Sequence, residues 1–193
     1  TPATNSLSLD SSKARVYFGE DLNDFAFVGS KKEQSPTNDD FNIKDSTGVK
    51  LDSFLKKAVF ALHYADYNIM ISDVVNDKTK IIYDRNPAQR IKTVAPFLDI
   101  DADPYPVITD NEVEWVVDAY TSSDQYPNSQ YLDQENIDFN SSLNKNINYV
   151  RNSVKATVNA RTGAVKLYVV DSKDPLIKAY QKAFPKLFTD VSK

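Results

Sequence analysis

Strict alternation of apolar and polar positions gives the clearest signal in the chain. Val150, Asn152, Val154, Ala156 and Val158 follow one side of a two-residue period, and Arg151, Ser153, Lys155 and Thr157 follow the other. Arg161-Thr162-Gly163 then supplies turn residues, and Val165, Leu167 and Val169 resume the alternation. The spacing predicts a β-hairpin over 150–170. Val107–Thr109 and Val113–Tyr120 flank Asp110-Asn111 and predict a second hairpin, in which Trp115, Val117 and Ala119 share one face while Val116 and Asp118 take the other. Val16–Phe18 and Asp24–Val28, on either side of Gly19, predict a third, and Ile81–Tyr83 is a short β-like run.

Between these runs the period lengthens. Phe54, Leu55, Ala58, Val59 and Leu62 recur at helical spacing, with Lys56, Lys57 and His63 elsewhere on the wheel and Asp52 or Ser53 placed to cap the first free amides. Tyr67, Ile69 and Met70 mark a continuation or a second helix. Asn86-Pro87 starts another, carrying Ile91 and Val94 and stopping near Pro96. Asp174-Pro175 opens a last helix with Leu176, Ile177, Tyr180, Ala183 and Phe184 as its apolar stripe. Residues 30–50 and 121–148 are polar, turn-rich insertions. The sum is an α+β fold, an antiparallel sheet built from hairpins with several packed helices. We expect a flexible N-terminal segment at 1–15 and a single domain at 16–193.

Composition narrows the function. With 193 residues, 41% of them hydrophobic, the chain can bury a real core. A formal charge of −4 removes the electrostatic footprint of nucleic-acid binding. The absence of Cys excludes disulfides, thiol catalysis and thiolate metal sites, and a single His excludes a His-rich metal centre. Apolar runs such as Ala58–Leu62 and Val94–Leu98 fall far short of the roughly 20 residues of a membrane span. No basic segment followed by an apolar one opens the sequence, so no signal peptide is expected in it.

Candidate chemistry is sparse. His63 could act as a base if Asp66, one helical turn on, oriented it, but it also fits as a polar residue flanking the apolar stripe. Neither a Gly-x-Ser-x-Gly elbow nor a supported Ser-x-x-Lys motif is present, so no catalytic residue is assigned. Trp115 with Tyr120, Tyr126 and Tyr131 could form an aromatic platform beside Asp118 and Asp124 for a sugar or peptide; alternatively Trp115 fills the core and the tyrosines pave a loop. Arg151 and Lys155 share a polar strand face, with Lys166 on the partner strand, and could meet anionic headgroups or wall polymers, or simply form cross-strand ion pairs. Asp99, Asp101 and Asp103 have the one-three-five spacing of a calcium loop, with Asp110 at the twelfth position. Pro104 stands where such a loop needs Gly, so Asp101 and Asp103 read as turn caps, and neither a metal nor another cofactor is expected.

Several blocks in fixed order also carry a resemblance. They are Tyr17-Phe18-Gly19-Glu20, Gly48-Val49-x-Leu51-x-Ser53-Phe54, Ala95-Pro96-Phe97-Leu98 and Asp101-x-Asp103-Pro104-Tyr105-Pro106-Val107. Further on come Trp115-x-x-Asp118-Ala119-Tyr120-Thr121-x-Ser123-x-x-Tyr126-Pro127-x-Ser129, Asn148-Tyr149-Val150-Arg151-Asn152-Ser153-Val154-Lys155, and Asp174-Pro175 through Phe184-Pro185-x-Leu187-Phe188. From about Tyr17 to Phe188 the chain resembles the extracytoplasmic region of an uncharacterised, UPF-type family of large multi-pass bacterial membrane proteins. The resemblance implies a place on the extracytoplasmic side of the bacterial membrane, tethered to N-terminal transmembrane helices that would be its intramolecular partner. It implies no catalytic residues. Where the family has an aromatic-Asp-Tyr-Pro segment, this chain has Glu33-Gln34-Ser35-Pro36. The expectation is a non-enzymatic interaction or structural module with an envelope or membrane protein as further partner. The alternative is a cell-envelope ligand-binding or hydrolytic module using Trp115–Tyr131.

Overall fold

The computed structural model describes residues 16–29, 48–72, 75–109, 112–132 and 146–190. The expected N-terminal segment 1–15, most of the first polar insertion with its Glu33–Pro36 segment, residues 133–145 of the second, and Asp110 lie outside the described residues. The described residues form, in order, β1 (Ala26–Val28), β2 (Val49–Lys50), α1 (Phe54–Tyr64), α2 (Asn68–Ile71), β3 (Lys80–Ile82), α3 (Pro87–Val94), β4 (Asp99–Ile100), β5 (Tyr105–Thr109), β6 (Glu112–Ser123), β7 (Tyr149–Asn159), β8 (Val165–Val169), α4 (Pro175–Ala183) and β9 (Phe188–Asp190). The fold is α+β, with sheets that are antiparallel apart from one edge pair.

The larger sheet runs β4-β6-β7-β8-β9, with β5 also paired to β6. Its centre is the long β6–β7 pair, and two of the three expected hairpins, β5–β6 and β7–β8, form. Gly163, at φ 72°, takes the left-handed conformation that closes the β7–β8 turn. One face of this sheet carries Val117, Ala119, Val154, Ala156, Val158 and Leu167, all fully or almost fully buried. Ile91 of α3 and Ile177 of α4 are also fully buried in this core. Each such aliphatic side chain removed from water contributes about 1.5–3 kcal/mol before entropy is counted. Both helices start as the sequence predicts: Asn86 accepts from the Gln89 amide and Asp174 from the Leu176 amide, with Pro at the first helical position.

Three expectations change. Val16–Phe18 does not pair with Asp24–Val28. The Tyr17 and Phe18 amides both donate to Ala160 O, at 2.8 and 2.9 Å, and β1 pairs with β3 in a separate sheet ordered β1-β3-β2. Gly48 opens β2 because a Cβ there would lie 2.9 Å from Ile82 Cγ2.

The second change is the direction of α1. The helix forms, capped by Ser53 Oγ accepting from the Lys56 amide, but its expected stripe faces outward. Ala61 is buried against Leu51, Ile69, Val75 and Ile81, with the Phe60 and Tyr64 rings beside it, while Phe54, Leu55, Val59 and Leu62 are exposed. The helix is apolar on two faces, and the face with the small Ala61 is the one that fits the three-stranded sheet.

The third is a β-bulge. Ala119 pairs with Val154 but Tyr120 pairs with Asn152, so Ser153 is the extra residue and the alternation of β7 changes phase there. Ser153 and Val154 are both buried.

Candidate functional site

The two-residue period of β6 decides where the expected platform goes. Trp115 lies on the core side with Val117 and Ala119, packed against buried residues, and its Nε1 donates to Phe18 O at 2.8 Å. Asp118 and Tyr120 lie on the opposite face. The structure therefore does not bring Trp115 together with them. Trp115 anchors the Tyr17–Phe18 strap, lying against Gly19, where a Cβ would sit 3.6 Å from its ring.

On the outer face Asp118 Oδ1 accepts from Lys155 Nζ at 2.6 Å and from Asn152 Nδ2 at 2.8 Å. Burial raises the Asp118 carboxyl, but these two donors outweigh it and hold the group below the ordinary carboxylate range. The bulge makes this arrangement: it turns Asn152 onto the Lys155 face and sends Arg151 the other way, where it forms an ion pair with Asp171 at 3.3 Å. Arg151 and Lys155 do not share a face. Tyr120 OH donates to Asp101 Oδ2 at 3.3 Å, and burial foremost, then Asp101, pushes its phenol up. Tyr126 stacks on Tyr149 with ring centroids 4.4 Å apart, and its amide donates to Asn148 Oδ1. Asp124 is exposed, and its carbonyl accepts from Tyr131 OH at 3.3 Å.

The acidic loop is likewise engaged. Asp99 accepts a short hydrogen bond from Ser122 Oγ, and Asp101 Oδ1 accepts from the Asp103 amide at 3.1 Å, the turn-capping contact expected of it. Among the described residues no group of three or more His, Asp or Glu is gathered to hold a metal ion. His63 sits edge-on to Tyr64, and the left-handed Ala65 ends the helix before Asp66, whose Oδ1 accepts from Asn68 instead.

The most enclosed charge was legible in sequence only as a helix cap. Asp174 is fully buried; Oδ2 accepts from Thr121 Oγ1 and Ser153 Oγ, both at 2.5 Å, and Oδ1 from Tyr149 OH at 2.6 Å and the Leu176 amide at 2.9 Å. Burial raises this carboxyl, yet the hydroxyls of Ser153, Thr121 and Tyr149 prevail and hold it below the ordinary range. Every acceptor direction is filled, so the group fastens α4 to β6 and β7. Arg90 has a similar role: Nε donates to Gly163 O at 2.7 Å and the guanidinium lies 4.7 Å from the centre of the Phe18 ring. Among the described residues, concavities lie away from the expected platform. One, of about 620 Å³, is lined by Val94, Pro96, Phe97, Phe184, Pro185 and Leu187, with the Phe97 and Phe184 rings stacked at 5.2 Å. Another, of about 290 Å³, holds Asp84, Arg90 and Thr93.

The family model described as "Uncharacterised protein family (UPF0182)" matches residues 1–193. Proteins named for the same family include one from Clavibacter michiganensis, 40% identical over 196 residues (92% of this chain and 20% of the relative). One from Saccharopolyspora erythraea is 43% identical over 184 residues (89% and 19%), and one from Clostridium kluyveri 36% identical over 197 residues (100% and 20%). The chain thus spans about a fifth of the length of these relatives. No solved structure matches it.

Proposed function

Because the chain belongs to the uncharacterised protein family UPF0182, we propose that it is a non-enzymatic interaction domain on the extracytoplasmic side of a multi-pass bacterial membrane protein. One observation carries the reading. Two of the carboxylates that chemistry could use are committed within the fold: Asp118 to Lys155 and Asn152, Asp174 to three hydroxyls and an amide. The surface instead exposes apolar side chains, Phe54, Leu55 and Leu62 among them. Among the described residues no helix is long and apolar enough to cross a membrane, which agrees with a domain held beside spans elsewhere in a longer polypeptide. The relatives, about five times as long, have room for such spans.

Site-specific photo-crosslinking in the full-length protein, in its own membrane, tests the reading. Probes at Leu62 and, as a control, at exposed Asn152 separate the two surfaces. The interaction reading expects protein adducts from Leu62 and none from Asn152. Adducts with wall polymer or lipid from Asn152 alone would favour a ligand-binding sheet face.

A further inference from the structure

Among the described residues, the outward face of α1 gathers several large exposed apolar side chains. Leu55, Val59 and Leu62 are 72%, 57% and 86% exposed, Phe54 is 74% exposed, and Tyr67, just before α2, and Ile71, at its end, are exposed as well. A helix apolar on its outer as well as its inner face is normally covered on both. The spacing of the outer face is symmetric about the point midway between Ala58 and Val59: Leu55 mirrors Leu62, Phe54 mirrors His63, and the small Ala58 mirrors Val59. Two such helices laid antiparallel on a two-fold axis would place Ala58 against Val59 at the crossing and leucines on leucines at either side. That self-complementarity is what an isologous contact needs.

A lipid surface fits less well. Lys56, at the edge of the stripe, is engaged with Asp52 at 2.7 Å, and the chain's formal charge of −4 does not favour anionic headgroups. Phe54, Leu55, Val59 and Leu62, each more than half exposed, offer each copy on the order of half the roughly 800 Å² that a standard interface takes from one partner, before any flanking contact is counted.

We infer that the Phe54–Leu62 face of α1 docks on the same face of a second copy of this chain, antiparallel, with Leu55 against Leu62 of the second copy. The inference deepens the interaction-domain reading, on which it rests, by naming the partner.

Sedimentation velocity of the 193-residue chain, from micromolar to sub-millimolar concentration, tests it with a charge-swap set. The expected result is a concentration-dependent dimer. Leu55→Glu alone and Leu62→Lys alone should each weaken it by more than about tenfold, since each buries an unpaired charge in an apolar seam. The double variant Leu55→Glu with Leu62→Lys should recover much of the loss, because each new Glu then faces the new Lys of the other copy. Melting temperatures of the single variants, expected near wild type because both positions are exposed, control for misfolding. The chain has no Cys, so oxidation of Val59→Cys, expected to give a covalent dimer, is an independent readout. A monomer at every concentration, binding of the monomer to lipid vesicles through this face, or absence of charge-swap recovery would overturn the inference. A monomer that still gave protein adducts from Leu62 in the membrane would sink the dimer while leaving the interaction-domain reading intact.

Discussion

Ser153 and Asp174, 21 residues apart in sequence, meet at 2.5 Å between hydroxyl and carboxylate. The contact exists because Ser153 is the bulged residue of β7: in a regular strand it would point to the outer face with Lys155. The bulge thus converts a polar position into the anchor of the last helix.

Replacing Asp174 by Asn should cost about 3 kcal/mol in equilibrium unfolding, because an amide nitrogen would face buried hydroxyl donors and the charge-assisted bonds would be lost. The pH dependence carries a sign. The folded carboxyl titrates below its ordinary value of 3.8, so its stabilisation is fully present above that value and is lost as pH falls through the folded one. Wild type should lose stability more steeply than Asp174→Asn below about pH 4, and the two curves should run parallel from pH 5 to 7. Parallel curves throughout would show that Asp174 is not held ionised.

Tyr149 should be the last of the group to ionise. Burial first, then its bond to Asp174, pushes the phenol up to about 12. Its folded value is raised, so its contribution is present below the ordinary value of 10.0 and is lost as pH climbs towards 12. Ultraviolet titration should show a late tyrosinate step that Tyr149→Phe removes. A titration of Tyr149→Phe with the same late step would contradict this.

Trp115→Ala should cost ~3–5 kcal/mol by the core large-to-small rule, and Trp115→Phe about 1 kcal/mol for the bond to Phe18 O. A loss under about 1 kcal/mol for the alanine variant would mean the indole is not part of the packing.

Thermal melts in excess calcium and in chelator should coincide, since Asp99 and Asp101 are engaged with Ser122, Tyr120 and the Asp103 amide. A calcium-dependent rise in midpoint, abolished by Asp101→Asn with Asp103→Asn, would assign the loop to a metal after all.

The fold was legible wherever local chemistry dictates it. Asn86-Pro87 and Asp174-Pro175 start helices by capping, and the alternation from Val154 to Val169 makes a hairpin regardless of context. What escaped depends on partners distant in sequence. β9 pairs parallel with β8, and β4 is two residues long, so neither leaves a periodic trace. The outward turn of α1 follows from how Ala61, Phe60 and Tyr64 fit a sheet whose strands are two and three residues long. The bulge at Ser153 has no signature in the alternation, and it alone separates Arg151 from Lys155. The separation of Trp115 from Asp118 was present in the two-residue period itself, which places odd and even positions of β6 on opposite faces.

The central claim, an extracytoplasmic domain that works through an apolar contact surface, is tested most directly by thiol labelling in intact cells. Full-length protein carrying either Ser172→Cys or Leu62→Cys is treated with a membrane-impermeant maleimide; both positions are exposed in the isolated chain. The account predicts prompt labelling at 172 and protection at 62 until the assembly is taken apart in detergent. Labelling at 172 only after the membrane is permeabilised, or equal labelling of both positions in intact cells, would contradict it.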